Sequence, residues 1–432
     1  MLWRRPNLKE KNMPKITLLI PLLFTVLLCG PVVAEEEALS KNTDSNPITE
    51  LSAWLKLSAD ERPALTEQPF SKTGLSKTDC ENATKLLLED FQNRIRKNRT
   101  AEWEAKSIKL EKLEMKFDYR VFGKKPADGR SLFISMHGGG GAPARVNDQQ
   151  WKNQIRLYEP KEGVYLAPRA PTNTWNLWHQ GHIDDFFTRI IENAIVLEGV
   201  NPNRVYIMGY SAGGDGVYQL APRMADQIAA AAMMAGHPNG VSPIGLRNIG
   251  FALYMGGKDG AYNRNKIAAQ WKVKLAELQK NDPTGYQHVV KIYPQYGHWM
   301  NREDKIAVPW MAKFTRDPNP TKIVWKQTGK IHNRFYWLSV DEKNRIGGSE
   351  VIATRDGQNF KIESASSISS INLRLNDQLA NLDQPITITA PDGTQSKVAA
   401  KRTIATLYQS LSERVDPAAI YSFETVVTVK QK

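Results

Sequence analysis

A chain of 432 residues is long for one domain, and with 41% hydrophobic residues it can bury a sizeable core, which excludes a disordered or fibrous protein. Lys and Arg number 58 against 45 Asp and Glu, for a formal net charge of +13; this balance reads first as a solvated basic surface, and secondly as one that attracts an acidic polymer or envelope surface. Only Cys29 and Cys80 are present, so a disulfide-stapled scaffold is excluded.

The first 34 residues read as a secretory signal peptide. Arg4, Arg5, Lys9, Lys11 and Lys15 precede an apolar run from Ile16 to Leu28, and Val32-Val33-Ala34 precede Glu35-Glu36-Glu37. The run is too short to span a bilayer as a stable helix. Cleavage is expected after Ala34, giving a secreted or periplasmic protein with no stable membrane span. Leu28 before Cys29 argues against a lipoprotein anchor. Cys80 is then left alone, and is expected on the apolar face of a helix.

Residues 35–105 are polar and helical in character, with Leu86, Leu87, Leu88, Phe91 and Ile95 at helical spacing. Between Lys109 and Phe122 the chain alternates, as edge strands do. Apolar runs then recur at Ser131–Met136, Val164–Leu166, Val205–Met208, Phe251–Met255 and Val289–Tyr293. Ile228–Met234 is Ala-rich and fits either a strand or a helix. Helix candidates lie between them at Asp185–Leu197, Ala212–Leu220 and Asn263–Gln279. Alternation of this kind predicts an α/β domain over 106–317, with a mostly parallel sheet covered on both faces. Pro318-Asn319-Pro320 marks a change of texture. Residues 320–432 alternate at period two, as in Ile371, Leu373 and Leu375, and carry one helix candidate at Arg402–Arg414. They predict a separate β-rich, sandwich-like domain.

The chemistry centres on Arg204–Gly216, RVYIMGYSAGGDG. An apolar strand runs into Gly209-Tyr210-Ser211-Ala212-Gly213, followed by a helix-compatible segment. A nucleophile elbow needs this strand–turn–helix context, with glycines where strand and helix approach. Three further features fit an elbow serine. His137-Gly138-Gly139-Gly140-Gly141 follows a strand, and its backbone N–H groups suit an oxyanion hole, with Gly139 and Ala212 as the expected donors. Asp259, in Gly257-Lys258-Asp259-Gly260, follows the strand Phe251–Met255, where ligands of open α/β sheets gather. His298, in Gly297-His298-Trp299, follows the last strand. The order Ser211, Asp259, His298 suits an α/β-hydrolase and excludes the orders of the two unrelated serine-protease folds; His179 and His182 precede the serine. Trp175 and Trp178, between a strand end and a helix, either wall the substrate pocket or pad the sheet's edge; as substrate-binding candidates they join Tyr210 and Trp299, which flank the serine and the histidine. Asp184 or Asp185 reads as a helix N-cap.

Together these motifs make residues of roughly 105–315 resemble the α/β-hydrolases of the secreted polyhydroxybutyrate-depolymerase and feruloyl or acetylxylan-esterase-like group. The pieces that carry the resemblance are His137-Gly138-Gly139, Pro168 with Trp175, Asp184-Asp185-Phe186, Gly209 to Gly214, Gly257-Lys258-Asp259 and Gly297-His298-Trp299. The resemblance implies an eight-stranded sheet, carboxylic-ester hydrolysis and a triad of Ser211, Asp259 and His298. No metal or organic cofactor and no nucleic-acid partner is implied; the partner is a small or polymeric ester. A disulfide near the site, frequent in that group, is impossible here. Two other readings remain. G-x-S-x-G-G also fits a prolyl-oligopeptidase-like serine peptidase, although the segments outside the core are too short for its propeller. The β-rich part also allows a catalytically silent surface-binding protein.

Overall fold

The computed structural model describes residues 46–430, so the signal-peptide reading and its cleavage after Ala34 fall outside the described residues. The described residues belong to one compact unit. At its centre is an eight-stranded sheet. The strands are β1 (Ser107–Leu110), β2 (Leu113–Phe122), β3 (Arg130–Met136), β4 (Gly163–Pro168), β5 (Val200–Tyr210), β6 (Ala230–Met234), β7 (Gly250–Gly256) and β8 (His288–Tyr293). Their order is β1-β2-β4-β3-β5-β6-β7-β8. The first two strands form an antiparallel hairpin whose second member runs against β4, and all other pairings are parallel. This is the α/β-hydrolase fold.

The apolar runs in the sequence have a direct physical cause. Strands β3, β4, β6 and β7 are buried nearly throughout because helices cover both faces of the sheet. The Ala-rich stretch resolves as a strand, Ala230–Met234, paired on both sides. The edge strand β8 is only half-buried, which leaves its alternation weaker. The helices are α1 (Pro47–Lys56), α2 (Lys77–Glu104), α3 (Ala144–Gln154), α4 (His182–Asn193), α5 (Ala212–Arg223), α6 (Arg264–Asn281), α7 (Ala307–Met311) and α8 (Ile404–Glu413).

Beyond the sheet, nine strands make two more sheets. They are β9 (Lys322–Lys326), β10 (Arg334–Phe335), β11 (Leu338–Ser339), β12 (Glu350–Asp356), β13 (Asn359–Ser366), β14 (Ser370–Leu375), β15 (Ile386–Thr389), β16 (Gln395–Val398) and β17 (Phe423–Thr428). One sheet has the order β10-β11-β14-β17 and the other β16-β15-β13-β12-β9. Trp325 and Phe335 stack across them at 5.8 Å, and Trp337 meets Phe360 edge-on at 5.5 Å, so the sheets face each other as a sandwich does.

Packing ties these layers together. Leu87, Phe91 and Ile95 of α2 bury against Ile404, Leu407 and Leu411 of α8, so the N-terminal and C-terminal helices share one apolar cluster. Cys80 is buried in that cluster. Polar groups also cross the Pro318–Pro320 boundary. The Tyr336 hydroxyl donates to the carbonyl of Ala225 at 2.7 Å, and Arg316 and Asp416 form a two-pronged pair at 2.6 and 3.0 Å.

Candidate active site

The central strand β5 delivers Ser211 at its carboxyl end, where α5 begins. Ser211 holds φ 58° and ψ −119°, a region that side chains with a Cβ avoid. The strain persists because the surroundings leave no alternative. The Ser211 N–H donates to the carbonyl of Met234 at 2.9 Å, and its own carbonyl accepts from Asp215 N–H at 3.0 Å. A Cβ at Gly209 would sit 2.3 Å from the carbonyl oxygen of Gly213, and one at Gly213 would sit 2.2 Å from that of Met136. Strand and helix therefore close on each other only because both positions are glycine.

Two other strand ends meet Ser211. Asp259 lies just past β7 and His298 in the loop after β8. His298 Nε2 is 2.9 Å from Ser211 Oγ, and its Nδ1 is 2.7 Å from Asp259 Oδ2. The Asp259 side chain is 2% exposed and the His298 side chain 44%, so the carboxylate is screened from water while the imidazole is open to it. Arg264 places a cation 3.7 Å from Asp259. It is His298, rather than His179 or His182, that reaches the serine. His179 lies behind Trp175, its ring 5.4 Å from the indole, and its carbonyl accepts from Arg223.

The glycine loop after β3 lies opposite. Gly140 N–H is committed to Asn147 Oδ1 at 3.0 Å, while Asn147 Nδ2 donates to the carbonyls of Gly140 and Ala142. Among the described residues, Gly139 N–H has no protein acceptor, and Ala212 N–H, the first of α5, has no partner within the helix. His137 anchors the loop from below. Its Nδ1 donates to the Gly138 carbonyl at 2.6 Å, its Nε2 accepts from Ala170 N–H at 3.2 Å, and burial pushes its pKa down to about 4, so it stays neutral. Asn147 was not legible in the sequence; an asparagine inside a helix carries no mark of a partner.

A cleft of about 460 Å³ opens in front of the serine, lined by the loop 139–142, Trp175, Asp215, His237, Tyr262 and Arg264 among others. Trp175 is 64% exposed and forms part of its wall. Asp215 lies on its floor. Burial pushes its carboxyl up, against hydrogen bonds from His237 N–H and the Asn239 amide.

Three side chains expected at the substrate lie elsewhere. Trp178 is fully buried, its indole N–H donating to the His137 carbonyl at 2.9 Å, because its side of the turn faces the core. The Tyr210 hydroxyl donates to the His298 carbonyl at 2.7 Å and accepts from Met300 N–H at 2.9 Å, so it braces the histidine loop. Trp299 is half-exposed and packs on Tyr210, outside the cleft wall. Asp184 is not an N-cap. Gly181 occupies that position, and Asp184 is buried against Arg223 at 2.6 Å and His332 at 2.9 Å. Among the described residues, no group of three or more His, Cys, Asp and Glu side chains is placed to hold a metal ion, and no helix is long and apolar enough to cross a membrane.

No family model matches the sequence, and comparison with curated proteins finds no match. Solved structures with a similar chain path include a thermostable esterase, at 17% identity over 49% of this chain with a TM-score of 0.39. The match spans 62% of that esterase. An acylaminoacyl peptidase of Pyrococcus horikoshii matches at 12% identity over 49% of this chain and 41% of its own, with a TM-score of 0.36. A poly(3-hydroxybutyrate) depolymerase of Bordetella parapertussis matches at 15% identity over 49% of this chain and 91% of its own, with a TM-score of 0.35.

Proposed function

We propose that this protein is a serine hydrolase that cleaves carboxylic esters through an acyl-enzyme. The observation that carries the reading is the unbroken hydrogen-bonded line Asp259–His298–Ser211, ending on a serine held in strained backbone. His298 Nε2 removes the hydroxyl proton as Ser211 Oγ attacks the ester carbonyl. The carbonyl oxygen becomes an oxyanion, received by the N–H groups of Gly139 and Ala212. As the tetrahedral adduct collapses, the C–O bond to the alcohol breaks and His298 returns its proton to the departing oxygen. Water then attacks the acyl-serine with His298 again as base, which releases the acid and restores Ser211. Asp259 keeps the Nδ1 proton in place and offsets the imidazolium charge. Trp175 supplies an apolar wall for the acyl or alcohol group. The leader sequence supports action outside the cytoplasm, on small or polymeric esters.

The test compares p-nitrophenyl acyl esters with peptide anilides, alongside labelling by a fluorophosphonate. Ester turnover with labelling that disappears in Ser211→Ala is expected. Faster cleavage of anilides would replace the reading with a peptidase, and an unlabelled Ser211 would end it.

The brace on the histidine loop gives a second expectation. Tyr210→Phe leaves Met300 N–H buried without an acceptor, at a cost of about 1–3 kcal/mol. The thermal midpoint should fall, and kcat should drop while KM changes little, because the loosened loop carries His298 and not the substrate wall. A fall in KM-dependent binding alone would place the hydroxyl at the substrate instead.

A further inference from the structure

A second cavity of about 470 Å³ shares no lining residue with the cleft around Ser211. It lies where the end of α2, helix α4, the segment 330–334 and the end of α8 come together. Six Arg and Lys line it against four Asp and Glu. Most of this charge cancels in pairs. Arg99 meets Glu192 at 2.6 Å, Arg414 meets Asp226 at 2.5 Å, and Lys330 meets Asp185. Arg189 and Glu413 find partners beyond the wall, in Glu102 and Arg374.

Two guanidinium groups are left over. Among the described residues, neither Arg334 nor Arg345 has a carboxylate within ion-pair distance; both donate only to backbone carbonyls, Arg334 to Ser410 and Ala419 at 3.2 and 3.1 Å, Arg345 to Ile331 at 3.4 Å. Arg334 is only 5% exposed, and its Nε, like Nη1 of the neighbouring Arg414, is buried with no hydrogen-bond partner. Burial, reinforced by the charge of Arg414, pushes Arg334 down to about 10, which still leaves it cationic at neutral pH. Glu413 and Asp226 act on it only from beyond ion-pair distance, and its guanidinium lies 5.6 Å from the Tyr421 ring centroid; a buried cation with no direct ion pair is costly, and is seldom kept where nothing needs it. Arg345, by contrast, is exposed at the cavity wall and its fork is nearly free. A volume of this size fits a small molecule and exceeds what one monatomic ion needs.

We infer that this cavity is a binding site for a small anion carrying two or more carboxylate, phosphate or sulfate groups, gripped by the fork of Arg345 and drawn in by Arg334, which has no direct ion pair. Guanidinium forks match such oxyanions in pairs of parallel N–H···O bonds, which a lysine does not reproduce. The inference stands apart from the ester-hydrolase reading, because neither arginine touches the cleft of Ser211.

The test titrates citrate and inorganic pyrophosphate into the full chain at fixed ionic strength, with sodium chloride as control, and reads the thermal midpoint and the heat of binding. At a hundredfold excess over Kd, a midpoint rise of about 3 °C is expected. Arg345→Glu changes an exposed side chain, so the fold is kept; it should weaken binding at least tenfold and leave ester turnover as it was. Arg345→Lys, which keeps the charge and loses the fork, should fall between. No rise beyond the chloride control overturns the inference. So does equal affinity in Arg345→Glu, which would place the anion elsewhere.

Discussion

Ser211→Ala is expected to lower kcat on an ester substrate by about five to six orders of magnitude, with KM and the thermal midpoint nearly unchanged. The size follows from geometry. Alanine keeps the Cβ, so the strained backbone at φ 58° is held by the same hydrogen bonds and the elbow survives. What disappears is the oxygen that lies 2.9 Å from His298 Nε2. Asp259 and His298 then have nothing to activate, and the remaining rate comes from binding and from the N–H groups of Gly139 and Ala212. Groups that act as one unit are non-additive, so Ser211→Ala with His298→Ala should be little slower than either alone. Steady-state and burst kinetics on one chromogenic ester check both statements. A single variant that keeps more than about one part in a thousand of the rate, or a double variant that loses the product of the two, would break the relay apart.

The parts of this molecule that could be read from the sequence are those set by local periodicity. Strands β3 and β7, and β5 from Val205 onward, are buried almost throughout because both faces are covered, and a glycine-flanked serine after such a strand has few other uses. The parts that could not be read depend on which way one side chain turns. Trp175 and Trp178 are three residues apart in one turn, yet one is 64% exposed and the other fully buried. Composition gives both the same expectation. Asp184 sits where a cap belongs, and its real partners are 39 and 148 residues away, at Arg223 and His332. Tyr210 looks like a pocket residue beside a nucleophile, but its hydroxyl is taken by backbone 88 residues on. Pro318-Asn319-Pro320 marks a change of texture in the sequence, and says nothing of the buried ion pairs that cross it.

Those pairs set the largest expected loss of stability. Asp416→Ala should destabilise the protein by about 3–5 kcal/mol, the range for breaking a buried pair by removing one partner. Arg316 is 1% exposed on its side chain and gives both Nη groups to Asp416, and the like charge of Arg414 lies close by. Without the carboxylate, a guanidinium stays buried with no ion-pair partner. The Arg316→Met, Asp416→Leu pair should recover most of the loss, because an apolar pair of similar volume leaves nothing uncompensated. The pH dependence has a fixed sign. Burial alone would push the Asp416 carboxyl up, but the charge and hydrogen bonds of Arg316 outweigh it and hold the folded-state value below that of an unfolded aspartate, about 3.9. The stabilisation is therefore complete above that value and is lost as pH falls through the folded-state one. Denaturant unfolding of the two proteins should differ most near pH 7 and converge in acid below about pH 4. Because Arg316 precedes the Pro318–Pro320 boundary and Asp416 follows it, the variant should still unfold in one transition, at lower denaturant. A gap under 1 kcal/mol, or one that stays constant into acid, would mean that this pair does not join the β-rich part to the hydrolase sheet. Two separate transitions would mean that the two parts fold independently.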